Sequence, residues 1–257
     1  MTPQPFNVAW SPERLDRLRS QISEFHWPRT PEKPGWRFGC DPKFLKSICE
    51  YWLREYDFEA ATAELNRYPQ FVAEVEPGVH IHFVHVVGNA GGRRPLLLVH
   101  GWPGSPYEYW PAIEALAYPS RSRRGAEYAF DLVIPSLPGY AFSSKPKSPV
   151  GPMRTALCFD TLMHDVLGYG RYLVEGTDWG VLIAPWMAML RPDHVRGIMI
   201  EDLGLMPAAE PAAGEERAWA AAQAERNLAL DAYYRLHTTR VSSLAYLAAD
   251  NPVGQAA

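Results

Sequence analysis

The sequence predicts an α/β fold in which a mostly parallel sheet carries helices on both faces. Strand-like and helix-like segments alternate through the middle of the chain, which is the pattern of right-handed crossover connections. The segment PLLLVH (Pro95–His100) is uniformly apolar, as strands buried on both faces of a sheet are. With 257 residues, of which 47% are hydrophobic and 21% charged, the chain can bury a sizeable core.

The first 78 residues are predicted to form a helical N-terminal meander. Ser11-Pro12 begins a helix, because a capping hydroxyl precedes a proline at the first helical position. Asp41-Pro42 begins a second helix in the same way. A short third helix is predicted over Phe58–Asn66. The prolines between the first two helices indicate an extended connector.

Residues 79–204 are predicted to form the sheet and the helices that cover it. HIHFVHVV (His80–Val87) alternates in the manner of a half-buried strand. Further strands are predicted at Pro95–His100, Phe130–Leu137, Tyr172–Asp178 and Val195–Asp202. Helices are predicted after Pro106, over Met153–Leu167 and over Trp179–Leu190.

Residues 205–257 are predicted to be a linker and the start of a helical lid. The segment 205–216 is rich in alanine and proline and low in complexity, which is typical of a linker. Helices are predicted over Arg217–Leu236 and Val241–Ala249, and they would form a layer separate from the sheet.

Composition gives no support for a nucleic-acid-binding, membrane-spanning or disulfide-rich protein. A net charge of −4 gives no reason to expect nucleic acid or an anionic membrane as a partner. No apolar run approaches the roughly 18 residues of a membrane span. The three cysteines lack metal-ligand spacing, and their odd number argues against a disulfide framework. These features favour a reducing, cytoplasmic-type setting.

The stretch VEGTDWG (Val174–Gly180) joins a predicted strand to a predicted helix through a Gly-x-Asp-x-Gly turn. Small residues around Asp178 allow a sharp bend that exposes the central side chain, as in a nucleophile elbow. The helix that begins at Trp179 directs its dipole and free amides at the carboxylate and favours its ionised form. The alternative is an ordinary capping aspartate at a helix start.

A second motif, HGWPGSPYEYW (His100–Trp110), directly follows the strand PLLLVH. Loops at this place in α/β enzymes supply one amide of an oxyanion hole, and the residue after the nucleophile supplies the other. The two predicted donors are therefore the backbone amides of Trp102 and Trp179. His100 is expected to buttress the loop rather than to transfer protons.

These motifs resemble those of the microsomal-type epoxide hydrolase family, which has an α/β-hydrolase fold. FNVAWSPERLDRLRSQI, YWLREYDFEAATAELNRYPQF and HIHFVHV resemble the N-terminal meander of that family. HGWPGSPYEYW, IPSLPGYAFSSKP and GTDWG resemble its core, and AYYRLHTTRVSSLAYLAADNPVG resembles the start of its lid. The motifs occur in the family's order, from near the N-terminus to the end of the chain.

The resemblance implies a reaction and the residues that perform it. Asp178 would attack an epoxide carbon to give an ester, which water would hydrolyse to a vicinal diol. Lid tyrosines would donate to the opening ring oxygen; Tyr233 aligns with the first of them, and the adjacent Tyr234 is a second candidate. The alternative for both is an aromatic side chain that packs the lid onto the core. The resemblance implies a small apolar epoxide and water as reactants, with no cofactor and no metal ion.

The resemblance also predicts what the chain lacks. The family's water-activating histidine, its acid partner and the last two strands lie beyond the lid, and this sequence ends at Ala257. Slow hydrolysis of the ester is therefore expected. Asp202 falls where related haloalkane dehalogenases place a charge-relay acid, although a solvated strand end also explains it.

Two alternatives to an active epoxide hydrolase stay open. One is a haloalkane dehalogenase, which also uses an Asp-Trp-Gly elbow but tends to carry asparagine in place of Trp102. The other is a catalytically impaired remnant that binds apolar ligands or a partner chain. The sequence leaves the oligomeric state open, with a homodimer among the expectations.

Overall fold

The structure is a computed structural model that describes residues 2–32, 35–90, 92–119, 128–201 and 213–257. The chain forms two compact units. The first unit comprises Met1–Val8 and Ala63–Leu205, and the second comprises Ala9–Thr62 and Met206–Ala257.

A seven-stranded sheet forms the centre of the first unit within the described residues. Its strands are β1 (Gln4–Phe6), β2 (Gln70–Glu76), β3 (Val79–Val86), β4 (Gly92–Val99), β5 (Tyr128–Pro135), β6 (Tyr172–Gly176) and β7 (Val195–Ile200). Their order across the sheet is β1-β2-β3-β5-β4-β6-β7. The pairs β4/β5, β4/β6 and β6/β7 are parallel, whereas β1/β2, β2/β3 and β3/β5 are antiparallel. The sheet is therefore mixed, with its parallel half formed by β4 to β7.

Helices cover both faces of this sheet, as the alternating pattern predicts. Leu97 and Val99 point into one apolar cluster and Leu98, between them, into the other, because successive side chains of a strand face opposite sides. The first cluster packs against α5 (Pro152–Asp160), the π-helix Thr161–Val166 that continues it, and α6 (Trp179–Leu190). The second cluster packs against α4 (Trp110–Ala117), which a 3₁₀ helix at Pro106–Tyr109 precedes.

The helices of the second unit begin where the sequence predicts. Ser11 caps α1 (Pro12–Ser23) by accepting a hydrogen bond from the Arg14 amide, and Asp41 caps α2 (Pro42–Arg54) through Lys43 and Phe44. A shared apolar cluster then joins α1 and α2 to the C-terminal helix; its buried members are Ile22, Leu45, Cys49 and Val253. The other helices are α3 (Phe58–Leu65, shared between the units), α7 (Gly214–Leu230), α8 (Ala232–Thr239), α9 (Val241–Ala248) and α10 (Pro252–Ala256).

Several elements differ from the sequence prediction. The strands β1 and β2 were not predicted, and their antiparallel pairing makes the sheet mixed rather than mostly parallel. The helix predicted over Arg217–Leu236 is two helices, α7 and α8, that meet at Asp231. Most of the predicted linker at 205–216 lies outside the described residues, and the division of the chain at residues 78 and 204 stays a prediction.

Candidate active site

Asp178 stands at a strained turn between β6 and α6. Its φ of +46° and ψ of −106° place a non-glycine residue in a region that L-amino acids rarely adopt. The turn is as tight as the sequence predicts, because a Cβ atom on Gly176 would overlap the carbonyl group of Gly180. The strand and the helix thus approach so closely that the side chain of Asp178 is pushed outward and exposed.

The carboxylate of Asp178 makes one hydrogen bond across the site. Its Oδ1 atom accepts from the backbone amide of Trp102 at 2.9 Å. The side chain makes no capping hydrogen bond to α6, so it does not act as the helix cap that the sequence left as the alternative. Gly101 allows this approach, because a Cβ atom there would overlap the carboxylate. The predicted oxyanion loop and the turn at Asp178 are therefore in direct contact.

The second predicted donor, the amide of Trp179, is the first residue of α6. Amides of a first helical turn lack acceptors within their own helix. Among the described residues no hydrogen bond from the Trp179 amide is found, so the amide stays open to an oxygen placed at the turn. The structure therefore brings Asp178 together with one predicted donor and leaves the other unoccupied.

His100 supports the predicted oxyanion loop. It is fully buried, its Nδ1 atom lies 2.9 Å from the Gly101 carbonyl oxygen, and its Nε2 atom accepts from the Leu137 amide at 3.2 Å. Burial lowers the pKa of His100, so the ring is neutral with its proton on Nδ1. Since both nitrogens are engaged, the ring holds the loop and has no free nitrogen for a water molecule.

Two further side chains of the first unit lie near the Asp178 charge, and sequence reasoning missed both. Glu108 lies in the 3₁₀ helix that Ser105 caps, and its amide donates to the Ser105 carbonyl at 3.1 Å. Burial raises the pKa of Glu108, and the charge of Asp178 raises it further. The ring of Tyr140, in the loop after β5, packs edge-on against that of His100, with 5.8 Å between the centroids. Burial raises the pKa of Tyr140, and the charge of Asp178 also raises it.

A buried carboxyl group lies on β6 below the turn. Glu175 is 7% exposed, its Oε2 atom has no hydrogen-bond partner among the described residues, and burial raises its pKa. Nearby, the hydroxyl of Tyr109 donates to the Val99 carbonyl at 3.0 Å and lies 3.4 Å from the Thr177 hydroxyl. Because the Thr177 amide also donates to Val99, Tyr109 ties the end of β4 to the elbow.

The remaining predicted site residues belong to the second unit or lie outside the described residues. Tyr233 and Tyr234 are on α8 in the second unit, and they are 57% and 58% exposed. Their role at the ring oxygen stays a prediction. Asp202 lies outside the described residues, so its suggested role is untested as well.

In the part of the chain that the structure describes, no group of three or more His, Cys, Asp or Glu side chains could hold a metal ion. No described helix combines the length and apolar character needed to cross a bilayer. All three cysteines are free thiols.

Two family models match the chain and together span most of it. Residues 3–109 match the model described as the epoxide hydrolase N terminus. Residues 94–252 match the model described as the alpha/beta hydrolase fold. The overlap of the two matches contains the predicted oxyanion loop.

Similar proteins include several epoxide hydrolases. Epoxide hydrolase 1 of Oryctolagus cuniculus is 36% identical over 76% of this chain, and the juvenile hormone epoxide hydrolase of Bombyx mori is 37% identical over 76%. A relative from Stigmatella aurantiaca is 36% identical over 98% of the chain. The chain spans 44%, 42% and 58% of these three relatives, respectively.

Solved structures of epoxide hydrolases have a similar fold over nearly the whole length of this chain. The juvenile hormone epoxide hydrolase of Bombyx mori superposes with a TM-score of 0.87 at 28% identity, covering 98% of this chain and 63% of that one. The Aspergillus niger epoxide hydrolase gives a TM-score of 0.86 at 29% identity, covering 99% of this chain and 67% of that one. The α/β-hydrolase fold predicted from the sequence is therefore confirmed.

Proposed function

Because the chain belongs to the epoxide hydrolase family of the α/β-hydrolase fold, we propose that Asp178 opens an epoxide through an aspartyl-ester intermediate. The observation that carries this proposal is the strained turn, which presents an uncapped carboxylate beside the Trp102 amide. A carboxylate suits attack on a saturated carbon, because the ester that forms can later be cleaved at its carbonyl group.

The hydrogen bond to Trp102 assigns different roles to the two oxygens of Asp178. Oδ1 accepts from that amide, so Oδ2 is the oxygen left to attack. As Oδ2 bonds to an epoxide carbon, the carbon–oxygen bond of the ring breaks and its electron pair goes to the ring oxygen. Oδ1 then becomes the carbonyl oxygen of the ester, already held at an amide donor.

The same arrangement supports the hydrolytic step. Water adds to the ester carbonyl carbon, and the negative charge that develops on Oδ1 lies beside the amide of Trp102. The unoccupied amide of Trp179 is the second donor of the proposed oxyanion hole. Loss of a single such donor typically costs about 10²–10³-fold in rate. Cleavage between this carbon and the alkyl oxygen releases the diol and restores the carboxylate.

The proton that the ring oxygen needs is assigned to Tyr233, with Tyr234 as the second candidate, on the basis of the family motif AYYRLH. The names of similar enzymes point to an epoxide as the substrate. That this epoxide is small and apolar is part of the proposal. A role for Asp202, a reducing compartment and a homodimer stay predictions.

Intact-mass spectrometry of the chain after incubation with styrene oxide tests the proposal. The wild-type chain is expected to gain the mass of one styrene oxide, because ester formation needs only the nucleophile and a donor. Asp178→Asn removes the nucleophile while keeping its shape, and it should gain nothing. Asp193→Asn, a change at an exposed aspartate, is the matched control and should behave as wild type.

Each outcome separates one reading from the others. An adduct that persists shows a live nucleophile with slow hydrolysis, whereas diol release shows full turnover. Ester formation from alkyl halides but not from epoxides would favour the dehalogenase. If the folded wild-type chain gives no adduct and no diol, the proposal is overturned. The remaining hypothesis is then the catalytically impaired remnant.

A further inference from the structure

We propose that Tyr109 is a positioning residue for the nucleophile, because its hydroxyl fastens the base of the predicted oxyanion loop to the turn that carries Asp178. The inference rests on the proposed function of Asp178 and deepens it. Tyr109 lies in the motif HGWPGSPYEYW, which gave it no role of its own. Tyr109 and all the residues that it contacts in this argument belong to the first unit.

The Tyr109 hydroxyl closes the predicted oxyanion loop on its own start. The chain leaves β4 at Val99, passes through Trp102 and enters the 3₁₀ helix Pro106–Tyr109. At the end of that helix, the hydroxyl donates back to the Val99 carbonyl at 3.0 Å. The loop that carries the Trp102 amide is therefore closed at its base by a side-chain hydrogen bond.

The same carbonyl group also holds the turn that carries the nucleophile. Thr177 directly precedes Asp178, and its amide donates to the Val99 carbonyl at 3.1 Å. Val99 is fully buried, and a Cβ atom on Gly180 would lie 2.4 Å from its carbonyl oxygen, so the start of α6 packs against that oxygen as well. One buried carbonyl group thus anchors the loop and the residues on both sides of Asp178.

A second contact joins Tyr109 directly to the turn. Its hydroxyl oxygen lies 3.4 Å from the Thr177 hydroxyl. A phenol has one proton, which Tyr109 donates to Val99, so the Thr177 hydroxyl is the donor in this contact. Burial raises the pKa of Tyr109, so the phenol keeps its proton and stays a donor. Tyr109, Val99 and Thr177 therefore form a closed hydrogen-bonded triangle.

This triangle matters because Asp178 is strained. A non-glycine residue at φ +46° persists only where its surroundings fix it. The hydrogen bond from the Trp102 amide to Asp178 Oδ1 spans the loop and the turn, both of which are anchored on Val99. Among the described residues no hydrogen bond joins Tyr109 to Asp178 itself. Tyr109 thus acts through Val99 and Thr177.

Hydrogen exchange of the Trp102 amide tests this positioning without any substrate. Tyr109→Phe removes only the hydroxyl, and exchange at Trp102 is expected to become about 10-fold faster, the effect that one neutral hydrogen bond can have. Tyr172→Phe is the matched control, because it removes another tyrosine hydroxyl that donates a hydrogen bond, at the start of β6. The control should leave exchange at Trp102 unchanged. Equal exchange rates in wild type and Tyr109→Phe would overturn the inference.

The rate of ester formation at different styrene oxide concentrations gives a second readout. Tyr109→Phe is expected to lower the maximal rate about 10-fold, because the carboxylate is less often in its reactive position. The concentration that gives half of the maximal rate should not change, since Tyr109 is not expected to contact the epoxide. A change in that concentration at an unchanged maximal rate would make Tyr109 a substrate-binding residue and contradict its positioning role.

Variants of Thr177 test the triangle itself. Thr177→Ser keeps a hydroxyl and should form the ester at the wild-type rate, whereas Thr177→Val should be slower. The double variant Tyr109→Phe/Thr177→Val should be no slower than Tyr109→Phe alone, because the Thr177 hydroxyl acts on Tyr109. If the effects of the two single changes multiply in the double variant, the two hydroxyls act independently and the triangle is the wrong description.

Failure of this inference is distinguishable from failure of the proposed function. If the folded wild-type chain forms no ester on Asp178, the proposed function fails, while hydrogen exchange still decides whether Tyr109 fastens the loop. If wild type forms the ester and Tyr109→Phe matches it in both the maximal rate and the exchange at Trp102, the nucleophile is live and only the role of Tyr109 is wrong.

Discussion

Asp178 and Asp160 show two opposite uses of the same side chain at the two ends of β6. Asp178 lies two residues beyond the end of β6, is exposed, and accepts one hydrogen bond from protein, so one oxygen is left for a substrate. Asp160 is 4% exposed, and its oxygens accept from Tyr172 and His194 at 2.7 Å and from Arg191 at 2.8 Å.

The difference separates a carboxylate that is proposed to react from one that stabilises the fold. Burial alone would raise the pKa of Asp160, but its three donors outweigh that effect and hold the pKa below its ordinary value. A buried carboxylate that accepts three hydrogen bonds stabilises the fold and has little nucleophilic character. Strain and an unfilled oxygen, rather than the residue type, mark the candidate active site.

Asp160→Asn should have the largest effect on stability. The amide group of asparagine faces a donor where a carboxylate oxygen stood, so the free energy of unfolding is expected to fall by about 3 kcal/mol. Urea unfolding followed by circular dichroism measures the change. Folded molecules should still form the Asp178 ester at the wild-type rate. If folded Asp160→Asn protein formed no ester, Asp160 would have more than a structural role.

Gly101→Ala should displace the carboxylate of Asp178 and leave the hydrogen bonds of Asp160 unchanged. The added Cβ would occupy the place of the Asp178 carboxylate and move it by an ångström or more. Misplacement on that scale costs about 10²-fold in rate, measured as ester formation with styrene oxide. Gly170→Ala adds a methyl group where no heavy atom lies within 4 Å, and it should leave the rate unchanged.

The hydrogen-bond network around His82 is a third buried polar site, and it makes stability depend on pH. His82 is buried, with Nδ1 2.8 Å from the Ser136 hydroxyl and Nε2 2.8 Å from Gln70 Oε1, and burial lowers its pKa to about 4. In the unfolded chain this histidine binds a proton near pH 6.5, whereas the folded chain resists protonation until about pH 4. The free energy of unfolding is therefore unaffected by His82 above pH 6.5 and decreases as the pH falls towards 4.

The expected loss from this histidine between pH 7 and pH 5 is about 2 kcal/mol of unfolding free energy. Urea unfolding at both pH values measures it. His82→Gln cannot titrate, so it should start less stable at pH 7 but lose about 2 kcal/mol less than wild type over the same range. An equal loss in both proteins would show that other groups govern acid sensitivity.

Tyr172→Phe should give the smallest effect, because it removes one of three donors to Asp160. The free energy of unfolding is expected to fall by about 1 kcal/mol, the usual net value of one hydrogen bond. Ester formation at Asp178 should not change, although Tyr172 is the first residue of the strand that leads to the elbow. If Tyr172→Phe changed ester formation but not stability, the structural role assigned to Tyr172 and Asp160 would be wrong.

Local sequence predicted the elements around the site because each has a local signature. The apolar runs of β4 to β6 and the Gly-x-Asp-x-Gly turn indicate buried strands and a sharp bend whatever surrounds them. The strands β1 and β2 escaped prediction. β1 has three residues, and β2 carries Glu74 and Glu76, so neither offers a clear strand pattern without its partner.

Contacts between distant segments could not be predicted from spacing. Tyr140, in the loop after β5, packs against His100 at the end of β4, and Asp160 accepts hydrogen bonds from Tyr172 and His194 at the starts of two later strands. Such neighbours become visible only once the sheet has brought its strand ends together. The resemblance to a family indicated the nucleophile and its amides, whereas the donors to Asp160 needed coordinates.

Peptide mapping after exposure to styrene oxide tests the central claim most directly. The account predicts that the adduct lies on the carboxylate of Asp178, with none on that peptide in Asp178→Asn. An adduct elsewhere in the wild-type chain, with residue 178 unmodified, would contradict the assignment of this turn as the reactive centre.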